Sequence, residues 1–281
     1  FNTGRYWGYM GIGLYEAVRP GIKGAVSFSG KLYMNMPAMP EPENNQGYNW
    51  EVSANAALAS MVRSFFTGLT AANNESIDAL ESAYNEKLKP DMSSEVFNRS
   101  QAFGRSIASA IHAWSLNDYY GASTGYTLPT TFPAGSWPAM NPLGLWQPTS
   151  STPPVNPFVK DATPFIAADL TAISAKFPLT YSETPGSPFY NMVKQVYDVY
   201  NGLTDAQKDN QRAISYFWLD QGNGTGYTPT GHDFLFVTQA LEQTNVSLGT
   251  AAEVYAKAGI ALREASIVTF RSKYANFLVR P

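Results

Sequence analysis

The helical periodicity of apolar side chains is the feature that most constrains this chain. Along Ser93–Leu116 apolar residues recur every three or four positions in one stripe, and similar stripes occur at about Trp50–Phe66 and Ser187–Asn201. We find no alternating apolar and polar pattern of useful length, which would indicate a half-buried strand. The sequence therefore predicts an all-α fold, a helical bundle with long loops rich in proline, glycine and aromatic residues.

Several further helices are predicted from the same periodicity and from helix-breaking residues. In the first helix, glycines at positions 8, 11 and 13 would allow a neighbouring helix to approach closely, so we expect this helix to be buried. The predicted segments are Tyr6–Val18, Asn74–Leu88, Thr204–Leu219, Pro229–Gln243 and Ser247–Phe277, with short helical character near Pro164–Ser174.

Two segments have the pattern of a capping box, in which a Thr hydroxyl and a Gln or Glu side chain satisfy free N–H groups at a helix start. They are Thr204–Gln207 and Thr250–Glu253.

The chain is predicted to form one helical unit over residues 1–281. Residues 21–49 are interpreted as a long ordered loop, and 117–159 form the longest irregular stretch, with eight prolines among its aromatic residues. This second loop would join two sub-layers of helices at 1–116 and 160–281.

Composition excludes several classes of function. The net charge is −3, from 19 basic and 22 acidic side chains, and no basic cluster suggests nucleic-acid binding. No apolar run approaches the roughly 20 residues that a membrane-spanning helix needs. The absence of cysteine excludes disulfides, thiolate metal sites and cysteine nucleophiles.

The last predicted helix ends with two cationic side chains, Lys273 and Arg280, followed by Pro281. Seven residues are about two helical turns, so in a continuous helix both side chains would project from nearly the same face. Arg brings planar, bidentate donors and Lys a compact charge, a combination that suits vanadate or phosphate. The alternative is that both are solvated charges at a helix terminus, where cations interact favourably with the dipole.

The sequence resembles a known superfamily in several places. The pattern Lys, six residues, Arg, Pro at 273–281 looks like the first of three motifs shared by vanadium-dependent haloperoxidases and type 2 phosphatidic acid phosphatases. Four supporting stretches also resemble bacterial haloperoxidase-like proteins: GIGLYEAVRPGI at 11–22, NWEVSANAALASMVRSFF at 49–66, GLWQPTSSTPPVNPFV at 144–159, and AISYFWLDQ with GYTPTGHDF within 213–234.

This resemblance implies the N-terminal portion of a larger enzyme with vanadate as its cofactor. The parent enzyme would oxidise halide with hydrogen peroxide, Lys273 polarising an oxygen of bound peroxide and Arg280 neutralising equatorial oxygens of vanadate. A phosphatase of the same superfamily is the alternative, with a histidine attacking phosphorus and the same two cations stabilising the transition state. A third possibility, from another class, is a non-catalytic helical scaffold or envelope binding module.

The other two motifs of the superfamily, Pro-Ser-Gly-His and Ser-Arg with a His after five residues, would follow Pro281. Pro229–His232 imitates the first of them but precedes Lys273, so we interpret it as a helix start. Arg105 and His112 imitate the second, also out of order and with six intervening residues, and His112 is predicted to be a core or interface residue. A complete catalytic set is therefore not predicted within this chain, nor is a metal site.

Several expectations depend on this interpretation. We expect the 281-residue chain alone to be inactive, and the remaining motifs to come from a C-terminal half or a second chain. A small oxyanion is the expected ligand. An apolar helix face left uncovered could lead to homo-oligomers. The low-charge, aromatic-rich composition is typical of exported proteins, which suggests a bacterial periplasm or cell envelope.

Overall fold

The all-α prediction is confirmed by the computed structural model, which describes residues 3–118, 127–131, 144–148, 154–167, 170, 179–220 and 226–279. Eight α-helices occur in these ranges: α1 Thr3–Val18, α2 Trp50–Phe65, α3 Ala71–Leu88, α4 Ser94–Ser115, α5 Pro188–Gly202, α6 Asp205–Phe217, α7 Pro229–Thr244 and α8 Leu248–Asn276. Short 3-10 helices lie at Arg19–Gly21, Lys89–Asp91 and Pro157–Asp161. The described residues contain one isolated antiparallel bridge, Leu145 to Leu278, and no sheet.

Helix α1 lies at the centre of the molecule and packs against α8, α2 and α4. Its glycines permit this packing, because a Cβ atom on Gly11 would lie 2.6 Å from the carbonyl oxygen of Tyr255 in α8. Gly259 of α8 makes the reciprocal close approach to the backbone of Trp7. The expectation that α1 is buried and closely packed is confirmed.

The main hydrophobic core forms where α1, α2 and α4 meet. Tyr9, Met61 and Ile107 are fully buried there, and Phe165 from a later loop is buried with them. The loop over 22–49 adds three buried methionines, Met34, Met36 and Met39. Burial of apolar surface at this junction is the main source of stability for these helices.

The ordered loop after α1 is held by a buried carboxylate. Glu16 is fully buried and accepts hydrogen bonds from the Ser27 hydroxyl (2.9 Å) and the Phe28 amide (2.7 Å). Arg19 donates to both Glu16 and Glu41 and thereby connects the helix to the far part of the loop. Paired in this way, the buried charge is compensated.

One capping prediction is confirmed and the other is wrong. Thr204 and Gln207 form both hydrogen bonds of a capping box at the start of α6. Thr250 is not a cap, because α8 begins earlier: the Ser247 hydroxyl is the N-cap and accepts from the amide of Thr250. Thr250 therefore lies inside the first turn of the helix.

The predicted helical character near Pro164–Ser174 is wrong for residues 164–167, which are not helical. The backbone around Phe165 is used for tertiary contacts instead. Its amide donates to the Glu264 carboxylate, and its carbonyl accepts from the Tyr33 amide at 2.6 Å. Residues 168–169 and 171–178 lie outside the described residues.

Candidate oxyanion site at the end of the last helix

Helix α8 places Lys273 in its last turn. The ammonium nitrogen lies 5.2 Å from the ring centroids of both Phe270 and Tyr274, within the range of cation–π attraction. Tyr274 is almost fully buried, and its hydroxyl donates to the carbonyl oxygen of Val155 at 2.6 Å. The aromatic platform beneath the lysine is therefore held in place by packing and by a hydrogen bond.

The chain leaves the helix abruptly after Asn276. Phe277 adopts the left-handed conformation with a φ of 49°, and its amide donates to the carbonyl of Lys273 at 3.0 Å. The next residues then pair with the middle of the chain. The amide of Trp146 donates to the carbonyl of Phe277 at 2.9 Å, and the amide of Val279 donates to the carbonyl of Gly144 at 2.8 Å.

This turn corrects the geometry expected for the motif. A continuous helix would place Lys273 and Arg280 two turns apart on one face, but the helix ends four residues before Arg280 and the chain continues in an extended form. The physical reason is the pairing of 277–279 with 144–146, which satisfies backbone groups that a helix would have used. Arg280 and Pro281 lie outside the described residues, so the assignment of Arg280 to the site stays a prediction.

The electrostatics of this helix end favour cations. The last carbonyl groups of α8 carry partial negative charge, which suits Lys273 and opposes a bound anion. An oxyanion held here would therefore depend on the side-chain cations for its attraction. The chemistry of an ammonium and a guanidinium fits vanadate or phosphate, because both donate charge-assisted hydrogen bonds to tetrahedral oxyanions.

The two sequences that imitate superfamily motifs serve other purposes. Thr228 caps α7 by accepting from the amide of Gly231 at 3.0 Å, so Pro229–His232 starts a helix, as predicted. His232 pairs through Nδ1 with the Asp220 carboxylate at 2.9 Å.

Arg105 and His112, which imitate the other superfamily motif, also make structural contacts. Arg105 donates to Glu81 at 3.2 Å. His112 is half-buried and lies edge-on to the ring of Phe65, with 5.6 Å between the ring centroids, which confirms its interpretation as a core or interface residue.

A buried ionic cluster that the sequence analysis missed fixes α8 against α1. The Asp118 carboxylate has no exposed side-chain surface and accepts from Arg263 at 2.6 Å and from Arg5 at 3.2 Å. Arg263 also donates to the carbonyl of Thr163, and its guanidinium lies 4.3 Å from the ring centroid of Phe165. The cluster thus joins four segments of the chain through one carboxylate.

Burial in this region changes the acid–base behaviour of two neighbours. It raises the pKa of the Tyr9 phenol and that of the Glu264 carboxyl above their ordinary values, while the nearby Arg263 acts in the opposite direction on both. Arg263 falls on the buried stripe of α8 that also contains Ala256, Ile260 and Ile267. A charged residue in an apolar stripe was the signal that could have indicated a buried ion pair.

A metal-binding cluster and a membrane-spanning helix are both absent from the part of the chain that the structure describes. No group of three or more His, Cys, Asp or Glu side chains there could hold a metal ion. Within the same ranges, every helix is too short or too polar to cross a lipid bilayer.

The fold is similar to that of a bacterial vanadium-dependent iodoperoxidase of known crystal structure. The two chains are 25% identical with a TM-score of 0.79, and the similarity covers 99% of this chain and 64% of the iodoperoxidase. No family model and no curated protein sequence matches the chain. The chain therefore has a haloperoxidase-like fold and spans less than two thirds of the length of that enzyme, and the similarity supports the superfamily indicated by the sequence motifs.

Proposed function

We propose that this chain is the helical part of a vanadium-dependent haloperoxidase-like enzyme, in which Lys273 and Arg280 bind the vanadate oxyanion. The observation that carries the proposal is the structural similarity to an iodoperoxidase over almost the whole chain. The Lys-Arg motif at 273–281 supports it independently, because its spacing in the sequence matches the superfamily pattern and its first cation, Lys273, lies in the last turn of α8.

The described residues fit the role of a partial oxyanion site. The rings of Phe270 and Tyr274 each lie 5.2 Å from the Lys273 ammonium nitrogen and hold this cation near the end of α8. The pairing of 277–279 with 144–146 fixes the direction of the chain that leads to Arg280. When bound, vanadate would supply the activation of hydrogen peroxide for halide oxidation, and these residues would bind and orient its oxygens.

We also propose that the enzyme includes polypeptide in addition to this chain. The chain spans 64% of the iodoperoxidase, and both of its histidines precede Lys273, whereas the histidine motifs of the superfamily follow the Lys-Arg motif. The remaining oxyanion ligands, with a histidine among them, would come from a C-terminal half or a second chain, with homo-oligomers as one form of the assembly. We also propose a bacterial source, as for the similar enzyme, and export to the periplasm or cell envelope, as the low-charge, aromatic-rich composition suggests.

The test is vanadate binding by the full-length natural polypeptide that contains this chain, measured by calorimetry. Lys273→Ala and Arg280→Ala should each weaken binding about tenfold or more, since each removes a charge-assisted hydrogen bond. Lys257→Ala is the matched control, because this lysine lies on the exposed side of the same helix, paired with Glu253 at 2.6 Å. Equal vanadate affinity in the parent and both site variants would overturn the assignment.

Activity assays on the same preparations distinguish the enzyme classes. Oxidation of iodide or bromide that requires vanadate supports the haloperoxidase, whereas hydrolysis of an aryl phosphate without halide oxidation would replace it with the phosphatase alternative. Neither activity, together with no oxyanion affinity, would indicate a non-catalytic helical module. The 281-residue chain alone is expected to show no turnover.

A further inference from the structure

A cavity lies away from the end of α8, between α1, α7 and the first half of α8. Its volume is about 560 Å³, within the range of about 300–1,000 Å³ that is usual for small-molecule sites. Apolar side chains supply most of the lining. This cavity does not share a lining residue with the proposed oxyanion site.

Three aromatic residues of the lining form a ladder of nearly parallel rings. The ring centroids of Trp7 and Phe234 are 4.3 Å apart with an interplanar angle of 21°, and those of Phe234 and Tyr255 are 5.7 Å apart at 12°. Each of the three comes from a different helix: α1, α7 and α8. A flat aromatic molecule suits such a lining, because offset-stacked and edge-to-face ring contacts are both favourable.

The otherwise apolar lining includes hydroxyl groups, among them those of Thr238 and Tyr255, which contact each other. The hydroxyl of Thr238 donates its single hydrogen to the carbonyl oxygen of Phe234 at 2.9 Å. Both contacts of the Thr238 hydroxyl are satisfied together when it accepts from the Tyr255 hydroxyl at 2.8 Å. The phenolic oxygen of Tyr255 keeps a lone pair that can accept a hydrogen bond from a ligand.

The rim of the cavity is held in place by the Pro229–His232 helix start. Tyr227, a lining residue, stacks on the ring of His232 with 5.7 Å between centroids. His232 in turn stacks on Phe236 at 4.6 Å and is oriented by its 2.9 Å pairing with Asp220. The cavity is therefore preformed, which lowers the entropic cost of binding.

We propose that this cavity binds a flat aromatic molecule carrying one hydroxyl or N–H donor, of the phenol or indole class. The aromatic ring of the ligand packs against the Trp7–Phe234–Tyr255 ladder, and its donor group bonds to the phenolic oxygen of Tyr255. This binding is independent of any oxyanion at the end of α8.

The test uses 2-naphthol as the probe and 2-methoxynaphthalene, which lacks the donor, as its matched analogue. Calorimetry on the full chain should show saturable binding of one naphthol, with the methoxy compound about three- to tenfold weaker for the loss of one hydrogen bond. Tyr255→Phe should weaken naphthol to the level of the methoxy compound and leave the methoxy compound unchanged. A general loss of structure would instead weaken both.

Two further variants test the location of the binding site. Leu235→Trp fills the cavity and should abolish binding of both compounds, with folding checked by circular dichroism. Tyr15→Phe removes a hydroxyl elsewhere on α1, which donates to the carbonyl of Val26 in the following loop. This variant should change neither affinity. The proposal is overturned if naphthol shows no saturable binding, if the parent binds both compounds equally, or if Leu235→Trp binds as the parent does.

Discussion

The four central helices (α1, α2, α4 and α8) and the α5–α6 arm (Pro188–Phe217) are built from similar amphipathic sequences but reach opposite degrees of burial. In the central helices the apolar stripes are covered, and even Arg263 is almost fully buried. Along the arm, Phe189 is the one buried residue. Val196 is 59% exposed and Phe217 80% exposed.

The difference shows that an apolar stripe predicts a helix more securely than it predicts burial. Val193, Val196 and Tyr200 form the expected stripe of α5, yet Val196 and Tyr200 are exposed and Val193 is only partly buried. The central helices and the α5–α6 arm differ in how closely their helices can approach other helices. Helix α1 has glycines where α8 meets it, whereas the arm is held to itself by contacts such as that of Arg212 with the Tyr200 hydroxyl at 3.3 Å.

The largest expected effect comes from removing a carboxylate in each region. Asp118→Ala leaves the guanidinium groups of Arg263 and Arg5 without their shared carboxylate and should lower the free energy of unfolding by about 3–5 kcal/mol. Asp198→Ala breaks an exposed pair with Lys194 in the arm and should cost less than about 1 kcal/mol. Urea denaturation of both variants checks the contrast, and equal losses would contradict it.

A smaller effect is expected from adding one methyl group in each region. In Gly11→Ala the new Cβ meets the backbone of α8, so the helices must separate, at a cost of about 1–3 kcal/mol. Gly202→Ala, at the end of α5, has open space around the new atom and should be neutral or slightly stabilising. Thermal unfolding, monitored by circular dichroism, measures the stability of both variants. A loss of stability in Gly202→Ala would contradict the contrast, because it would mean that the end of α5 is closely packed.

The smallest expected effect concerns helix caps and sharpens the comparison. Ser247→Ala and Thr204→Ala each remove an N-cap, at a typical cost of about 1 kcal/mol. Loss of the α8 cap should reduce global stability, whereas loss of the α6 cap should accelerate hydrogen exchange only within the arm. Exchange measured by mass spectrometry separates the two, and global destabilisation by Thr204→Ala would mean that the arm unfolds with the core.

Local patterns predicted the helices well, because helix formation depends on neighbouring residues. The local patterns failed where backbone groups form hydrogen bonds with residues far away in the sequence. The segment at 164–167 is not helical because Phe165 bonds to Glu264 and Tyr33, each far away in the sequence. The capping box at Thr250 was wrong for a local reason, since Ser247 offers a hydroxyl one turn earlier.

The candidate site was predictable only in part. The spacing of Lys273 and Arg280 indicated two cations for one oxyanion, and the structure places Lys273 in the last turn of α8. The turn at Phe277 could not be predicted, because the strand-like segment that pairs with it lies in the middle of the chain. The ionic cluster of Asp118, Arg263 and Arg5 was missed for the same reason, since its members come from three separate parts of the sequence.

The bridge between Leu145 and Leu278 also has a kinetic consequence. It joins residues more than a hundred positions apart, and contacts of such long sequence separation form slowly because a large loop must close first. We therefore expect α8 to form early and the segment leading to Arg280 to acquire its direction late in folding. A chain that has already gained its full helical circular dichroism signal would still lack the pairing of 277–279 with 144–146.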